Sequence, residues 1–145
     1  MATNHNNPTN HNSPPTDHNF HIEPLITNIE RDTLQNDLYR RVIHTGVYMQ
    51  VVLMDIPSKK TIPMEVHRGD QFVRIEKGEG IVTINGITYP ISDGTSISIP
   101  SGSYHYFENT GNKPLKLYTI YSPPEHSPTL MEIMNSNGNV IAINK

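Results

Sequence analysis

The chain has no cysteine. That absence excludes disulfide frameworks, thiolate zinc sites, iron–sulfur clusters and cysteine nucleophiles. Charge is scarce: 17% of the residues are Asp, Glu, Lys or Arg, and the net charge is −3. No basic face is available to neutralise phosphates, so nucleic acid is not an expected partner. Nor is there a basic patch for an anionic membrane surface. Long apolar runs are missing too. The longest, Val51–Met54, is far short of the roughly 18 residues of a spanning helix. No apolar stretch follows the N-terminus, so a secretory signal is not expected. Asn7-Pro8-Thr9 fails as a glycosylation acceptor because proline sits in its middle. These absences predict a cytoplasmic or otherwise intracellular protein that is not secreted.

What is present is unevenly distributed. The 145 residues, 34% hydrophobic, fall below the roughly 45–50% apolar content of globular chains. The deficit lies at one end. From Met1 to Asn19 the only apolar side chains are Met1 and Ala2. Residues 1–19 are expected to be disordered, because burial cannot offset the entropy of ordering them. His5, His11, His18 and His21 read as compositional bias, with weak metal capture as the alternative. Residues 20–40 form a lead-in. Pro24–Leu38 is expected to be a short helix or an irregular segment, with Leu25, Ile26, Ile29 and Leu34 as its apolar positions.

From Arg41 the texture changes to short β-rich runs separated by turn residues. The expected strands are Arg41–Thr45, Val47–Ile56, Gln71–Glu76, Ile81–Ile84, Ile87–Pro90, Ser96–Ile99, Ser103–Asn109 and Leu115–Tyr121. Asn85-Gly86 is the strongest hairpin signal, since a type I′ turn needs positive φ at both central residues. Closely spaced strands without helical periodicity predict an all-β barrel or sandwich. Residues 127–145 are a separate extension, a candidate hairpin around Asn135–Asn139. The run Met49–Met54 is apolar on both faces. One face should line the core and the other meet a partner or that hairpin. A homodimer is therefore expected.

Three stretches combine ligand-type side chains with strand context. Glu65 and His67 are two apart and share a strand face. Gln71 follows across the Arg68-Gly69-Asp70 bend, and His105 lies within Ser103–Asn109. A carboxylate and two imidazoles suit Mn, Fe, Ni, Cu or Zn and leave coordination positions open. Strand parity puts Ser103, His105 and Phe107 on the inner face, leaving Tyr104 and Tyr106 outside. It likewise puts Gln71, Val73 and Ile75 inside. Gln50, Phe107, Tyr121 and His126 are candidate ligand-lining residues at the barrel mouth.

The spacing resembles the two motifs of small single-domain cupins. The second, G-x5-P-x-G-x2-H-x3-N, is met at Gly94, Pro100, Gly102, His105 and Asn109. The first, G-x5-H-x-H-x3,4-E-x6-G, is met at His67 and Gly78, with Lys59, Glu65 and Gln71 at its other positions. Asp70–Glu76 and Leu115–His126 are similar to a bacterial subgroup labelled mannose-6-phosphate isomerase-like. The resemblance covers about residues 41–126. It implies a jelly-roll barrel of antiparallel strands and, residue by residue, a divalent metal site at Glu65, His67, Gln71 and His105. Glutamate for the first histidine keeps a good metal ligand, and glutamine for the usual carboxylate supplies a neutral oxygen. The alternative is a metal-free barrel whose polar groups bond one another and a ligand. Three functions follow as expectations: a metal-dependent isomerase-, epimerase- or dioxygenase-like enzyme on a small polar molecule; a non-catalytic binder of a sugar or similar ligand; or a structural protein, for instance in a virus particle.

Overall fold

Short strands with inward apolar residues pair into two antiparallel sheets. The computed structural model describes residues 22–143; the expected disordered segment 1–19 and the histidines at 5, 11, 18 and 21 lie outside them. A helix, α1 (Ile29–Gln35), leads into β1 (Arg40–Thr45), β2 (Gln50–Ile56), β3 (Thr61–Glu65), β4 (Asp70–Lys77) and β5 (Glu79–Ile84). There follow β6 (Ile87–Ser92), β7 (Ser96–Ile99), β8 (His105–Asn109), β9 (Leu115–Ser122), β10 (Met131–Met134) and β11 (Val140–Ala142). One sheet runs β11-β10-β1-β2-β9-β4-β7, the other β3-β8-β5-β6. Their inner faces meet in one core that includes Val52, Met54, Val73, Ile75, Phe107 and Leu117. This is the all-β architecture that the strand spacing predicts, in the jelly-roll form that the cupin resemblance implies.

Local chemistry explains the turns. Asn85 (φ 48) and Gly86 (φ 82) supply the positive φ values of the β5–β6 hairpin. Both edges of the smaller sheet carry a proline, Pro63 in β3 and Pro90 in β6, where a missing N–H costs no ladder bond. Pro63 is also why β3 escapes a reading of the sequence: a proline inside a short run argues against a strand. Asn109, fully buried, ties off the end of β8. Its Nδ2 donates to the carbonyls of Ile56 and Lys113, and its Oδ1 accepts from Gly111 N–H.

Three expectations are corrected. Val47–Met49 are not strand. Gly46 N–H donates to Met49 O at 2.8 Å, closing a turn that leaves Val47, Tyr48 and Met49 exposed. The short helix falls within Pro24–Leu38, but most of its expected apolar positions do not pack. Asn28 caps it by accepting from Arg31 N–H, so Leu25 and Ile26 precede it and are exposed, as is Leu34. The side chain it buries is Thr33, which shares a face with Ile29 four residues back. Finally, all seven residues of β2 are buried within the single chain. The second apolar face, Val51 and Leu53, is therefore not left open for a partner. The 131–142 hairpin pairs through β10 with β1 and extends the larger sheet.

Candidate metal centre

Strand register assembles the centre. On the larger sheet Gln50, Tyr121 and Gln71 are neighbours in one row across β2, β9 and β4. On the smaller sheet Glu65 pairs with His105 across β3 and β8. The two rows face each other inside the barrel. His67 follows β3 and is pinned there by Gly102 N–H donating to its carbonyl at 2.9 Å. Gly102 takes φ 79 in the Pro100–Ser103 bend, and Ser101 N–H donates to Asp70 Oδ1. The bend of the second motif thus holds the loop that carries the first.

One ligand atom each from Glu65, His67 and His105 lies within 4.8 Å of the others. The imidazole centroids of His67 and His105 are 5.2 Å apart. Tautomers are set by the surroundings. His105 Nδ1 donates to Ser103 O at 2.9 Å, leaving a lone pair on Nε2, which is buried and has no partner among the described residues. Gln71 Nε2 donates to Thr119 Oγ1, so its Oε1 is likewise buried and unpaired. Buried polar atoms rarely go unpaired, and both atoms are lone-pair donors of the kind a divalent ion takes. Glu65 Oε2 lies 3.1 Å from His67 Nε2, and its Oε1 lies 3.3 Å from Arg40 Nη2. His67 Nδ1 lies 3.1 Å from Glu125 Oε1, within ion-pair distance but out of line for a good hydrogen bond. A carboxylate on the outer ring nitrogen is the usual support of a metal-ligating histidine. The residues therefore fit an ion: Glu65, His67 and His105 would hold it, with Gln71 Oε1 as a fourth donor.

The other expected lining residues divide. Phe107 and Tyr121 line the same small cavity, of about 10 Å³, as Glu65, Gln71 and His105. That space takes one ion or one water. His126 packs edge-on against Tyr121 at 5.2 Å, with Nε2 buried and unpaired among the described residues. Gln50 is corrected. Its Nε2 donates to Thr45 Oγ1 and His126 O, and its Oε1 accepts from the N–H groups of Glu125 and His126. With its polar atoms so engaged, Gln50 positions the Glu125–His126 backbone and does not offer them to a ligand. The sequence reading missed Arg40, Glu125 and Glu132. Arg40 is buried, and its Nη1 donates to Glu132 Oε1 at 2.6 Å. The available signal was parity: an arginine opening a strand on the face it shares with Met54.

Protonation follows from these contacts. Burial pushes the Glu65 carboxyl up, but the His67 hydrogen bond and the Arg40 charge outweigh it, so the net direction is down. The bond to Glu65 raises His67 against the opposing effect of burial, with Glu125 adding to the rise. Burial lowers both His105 and His126. For the metal-free chain the signs give a stability maximum near pH 6.5, the ordinary imidazole value. Above it, His67 loses its proton as pH rises through its raised pKa, and its contribution is lost. Below it, unfolded imidazoles take protons that folded His105 and His126 refuse, so stability falls again. Urea midpoints in the presence of chelator, from about pH 5 to about pH 9, should trace this maximum. His67→Gln should flatten the alkaline limb only. A wild-type midpoint that climbs steadily through neutral pH would contradict the assignment.

Comparison with known proteins agrees with the geometry. The model of the cupin domain matches residues 52–121. The Bacillus subtilis protein YrkC, itself uncharacterised, is 41% identical over 111 residues, covering 72% of this chain and 60% of that protein. The chain thus spans less than two thirds of that relative's length. The uncharacterised protein L612 of Acanthamoeba polyphaga mimivirus is 40% identical over 113 residues, covering 74% of this chain and 71% of that protein. The crystal structure of BH2720 from Bacillus halodurans superposes with a TM-score of 0.74 at 40% identity, covering 75% of this chain and 88% of that one. Among the described residues, no helix is long and apolar enough to cross a membrane. Fold, motif positions, family model and relatives agree: the chain belongs to the cupin family.

Proposed function

We propose that this cupin binds one divalent metal ion through Glu65, His67 and His105, with Gln71 Oε1 completing the set, and that a small polar ligand meets the ion in the barrel. The observation that supports this most is the pair of buried, unpaired acceptors, His105 Nε2 and Gln71 Oε1, beside a carboxylate and a second imidazole. A divalent ion held there supplies Lewis acidity toward a ligand oxygen. The chain's own groups do the rest. Glu125 steadies His67 from behind. Tyr121, whose phenol burial pushes well above its ordinary pKa, stays protonated and lines the wall. Phe107 closes the other side. This is the chemistry shared by isomerase-like and oxygen-using metal enzymes and by non-catalytic binders. The test is elemental analysis of protein purified without chelator. About one equivalent of a transition metal is expected, lost in a His67→Ala/His105→Ala double variant that retains the histidines of residues 1–21. An equal metal content in that variant would move the binding to those histidines and end the proposal.

A second reading rests on a specific contact. Arg40 Nη2 and His67 Nε2 both approach Glu65, so the carboxylate has partners even without an ion. In that case metal analysis returns far less than one equivalent, and the cluster serves as a metal-free polar site.

We also propose a homodimer, formed at the open edge of the larger sheet. β11 is that edge, and Val140, Ile141 and Ile143 are exposed along it. Open apolar strand edges invite pairing with another strand. Light scattering at micromolar concentration should give a dimer mass, reduced to a monomer by Ile141→Lys. A monomeric wild-type chain would refute this.

A further inference from the structure

Arg40 occupies no position of either cupin motif, yet it is only 7% exposed and lines the cavity beside Glu65, Gln71 and His105. A guanidinium keeps its charge when buried and must be given partners. Its three nitrogens are served unequally. Nη1 is held by Glu132 Oε1 at 2.6 Å, a short charge-assisted bond. Nη2 has only a long contact to Glu65 Oε1 at 3.3 Å. Nε is buried and has no partner among the described residues. Nε and Nη2 form one edge of the planar group, an edge that takes a carboxylate through two parallel bonds. The strong bond thus anchors Nη1, while the Nε/Nη2 edge of this cavity-lining side chain is nearly unspent. Once Glu65 commits its oxygens to an ion, Nη2 loses its weak partner as well.

We propose that the Nε/Nη2 edge of Arg40 is the recognition fork for the carboxylate of a small organic acid bound at the ion held by Glu65, His67 and His105. The inference rests on the metal-site reading and names the ligand class for it. Charge permits such a ligand. The carboxylates of Glu65, Glu125 and Glu132 around the site are offset by a divalent ion together with Arg40, so a monoanion meets no net repulsion. Space restricts it: the cavity of about 10 Å³ holds no more than one ion or one water, so side chains must move to let an acid reach the ion, and the shortest acids demand the least movement. A neutral alcohol or amide lacks the second oxygen lone-pair set that the fork requires and leaves a buried donor unmet.

The test titrates acetate and glycolate, with acetamide and glycerol as neutral controls, into protein saturated with Mn²⁺, read by calorimetry and melting temperature. The acids should bind wild type and the neutral probes should not. Arg40→Lys keeps the charge but not the fork, and should weaken the acids by at least about tenfold. Neutral probes that bind as well as the acids, or undiminished acid binding by Arg40→Lys, would overturn the proposal. A second arm needs neither the metal nor that variant. In chelator, Glu65→Ala releases Nη2, so acetate should bind it more tightly than it binds metal-free wild type; no gain overturns the fork. Failure of Mn²⁺ to bind wild type would exclude Mn²⁺ as the ion of the site, and the Glu65→Ala arm would still decide the role of Arg40.

Discussion

Replacing His105 by alanine is expected to weaken divalent-metal binding by more than the roughly 100-fold that loss of an outer supporting group costs. His105 is 2% exposed, starts β8 opposite Glu65, and is fixed by Ser103 O as the tautomer with Nε2 unprotonated. No neighbouring imidazole takes its place, since His67 already occupies its own corner and His126 is turned against Tyr121. The variant should remain folded, because the hydrogen bonds of β8 to β3 and β5 are backbone bonds. Calorimetric titration against a folded control measures the loss. Unchanged affinity in a folded His105→Ala protein would remove His105 from the ligand set.

The largest stability effect is expected from Gly80→Ala. Gly80 pairs with Asn109 where β5 meets β8, and a Cβ built there would stand 2.2 Å from the carbonyl oxygen of Glu108. That neighbour is backbone in the middle of a sheet and cannot swing aside. Relieving the overlap requires separating the two strands, at a cost of roughly 4 kcal/mol or more, among the large single-site effects. Gly86→Ala makes a useful contrast. Nothing lies within 4 Å of its added Cβ, so its cost is confined to a positive φ, about 1 kcal/mol. Urea unfolding of the two variants separates them; equal losses would contradict the close approach at Gly80.

The fold and half of the site were legible because particular residues answer backbone needs. Gly94 (φ 85) and Gly102 (φ 79) sit at left-handed positions, Pro100 precedes the bend, and Asn109 ties off β8. Each is a local requirement that spacing reveals. Lys59 shows the limit of the same logic. It stands where the first cupin motif has glycine and still adopts φ 62, so the backbone shape persists after the residue that explains it has gone. Period-two parity correctly separated buried Gln71, Val73 and Ile75 from their outward neighbours, because a one-residue error would have turned the strand over. The contact of Arg40 with Glu132 was not legible. The two are 92 residues apart in sequence, and only the pairing of β10 with β1 brings them together. Gln50 was recognised as an inward polar residue. Its use as a clamp on the backbone of Glu125 and His126 depends on a loop whose path no local pattern encodes.

The central claim is that the barrel closes around an ion through Glu65, His67 and His105. The most direct measurement is the melting temperature of chelator-treated protein before and after addition of Mn²⁺, Fe²⁺, Ni²⁺, Cu²⁺ or Zn²⁺. An ion that binds only the folded state stabilises it by about 2.7 kcal/mol at a hundred times its Kd, which for a domain of this size is about 10 °C. At least one of these ions is predicted to give a shift of that order in wild type, and none in His67→Ala or His105→Ala. A wild-type melting temperature unmoved by all five, or a shift that survives both substitutions, would contradict the account.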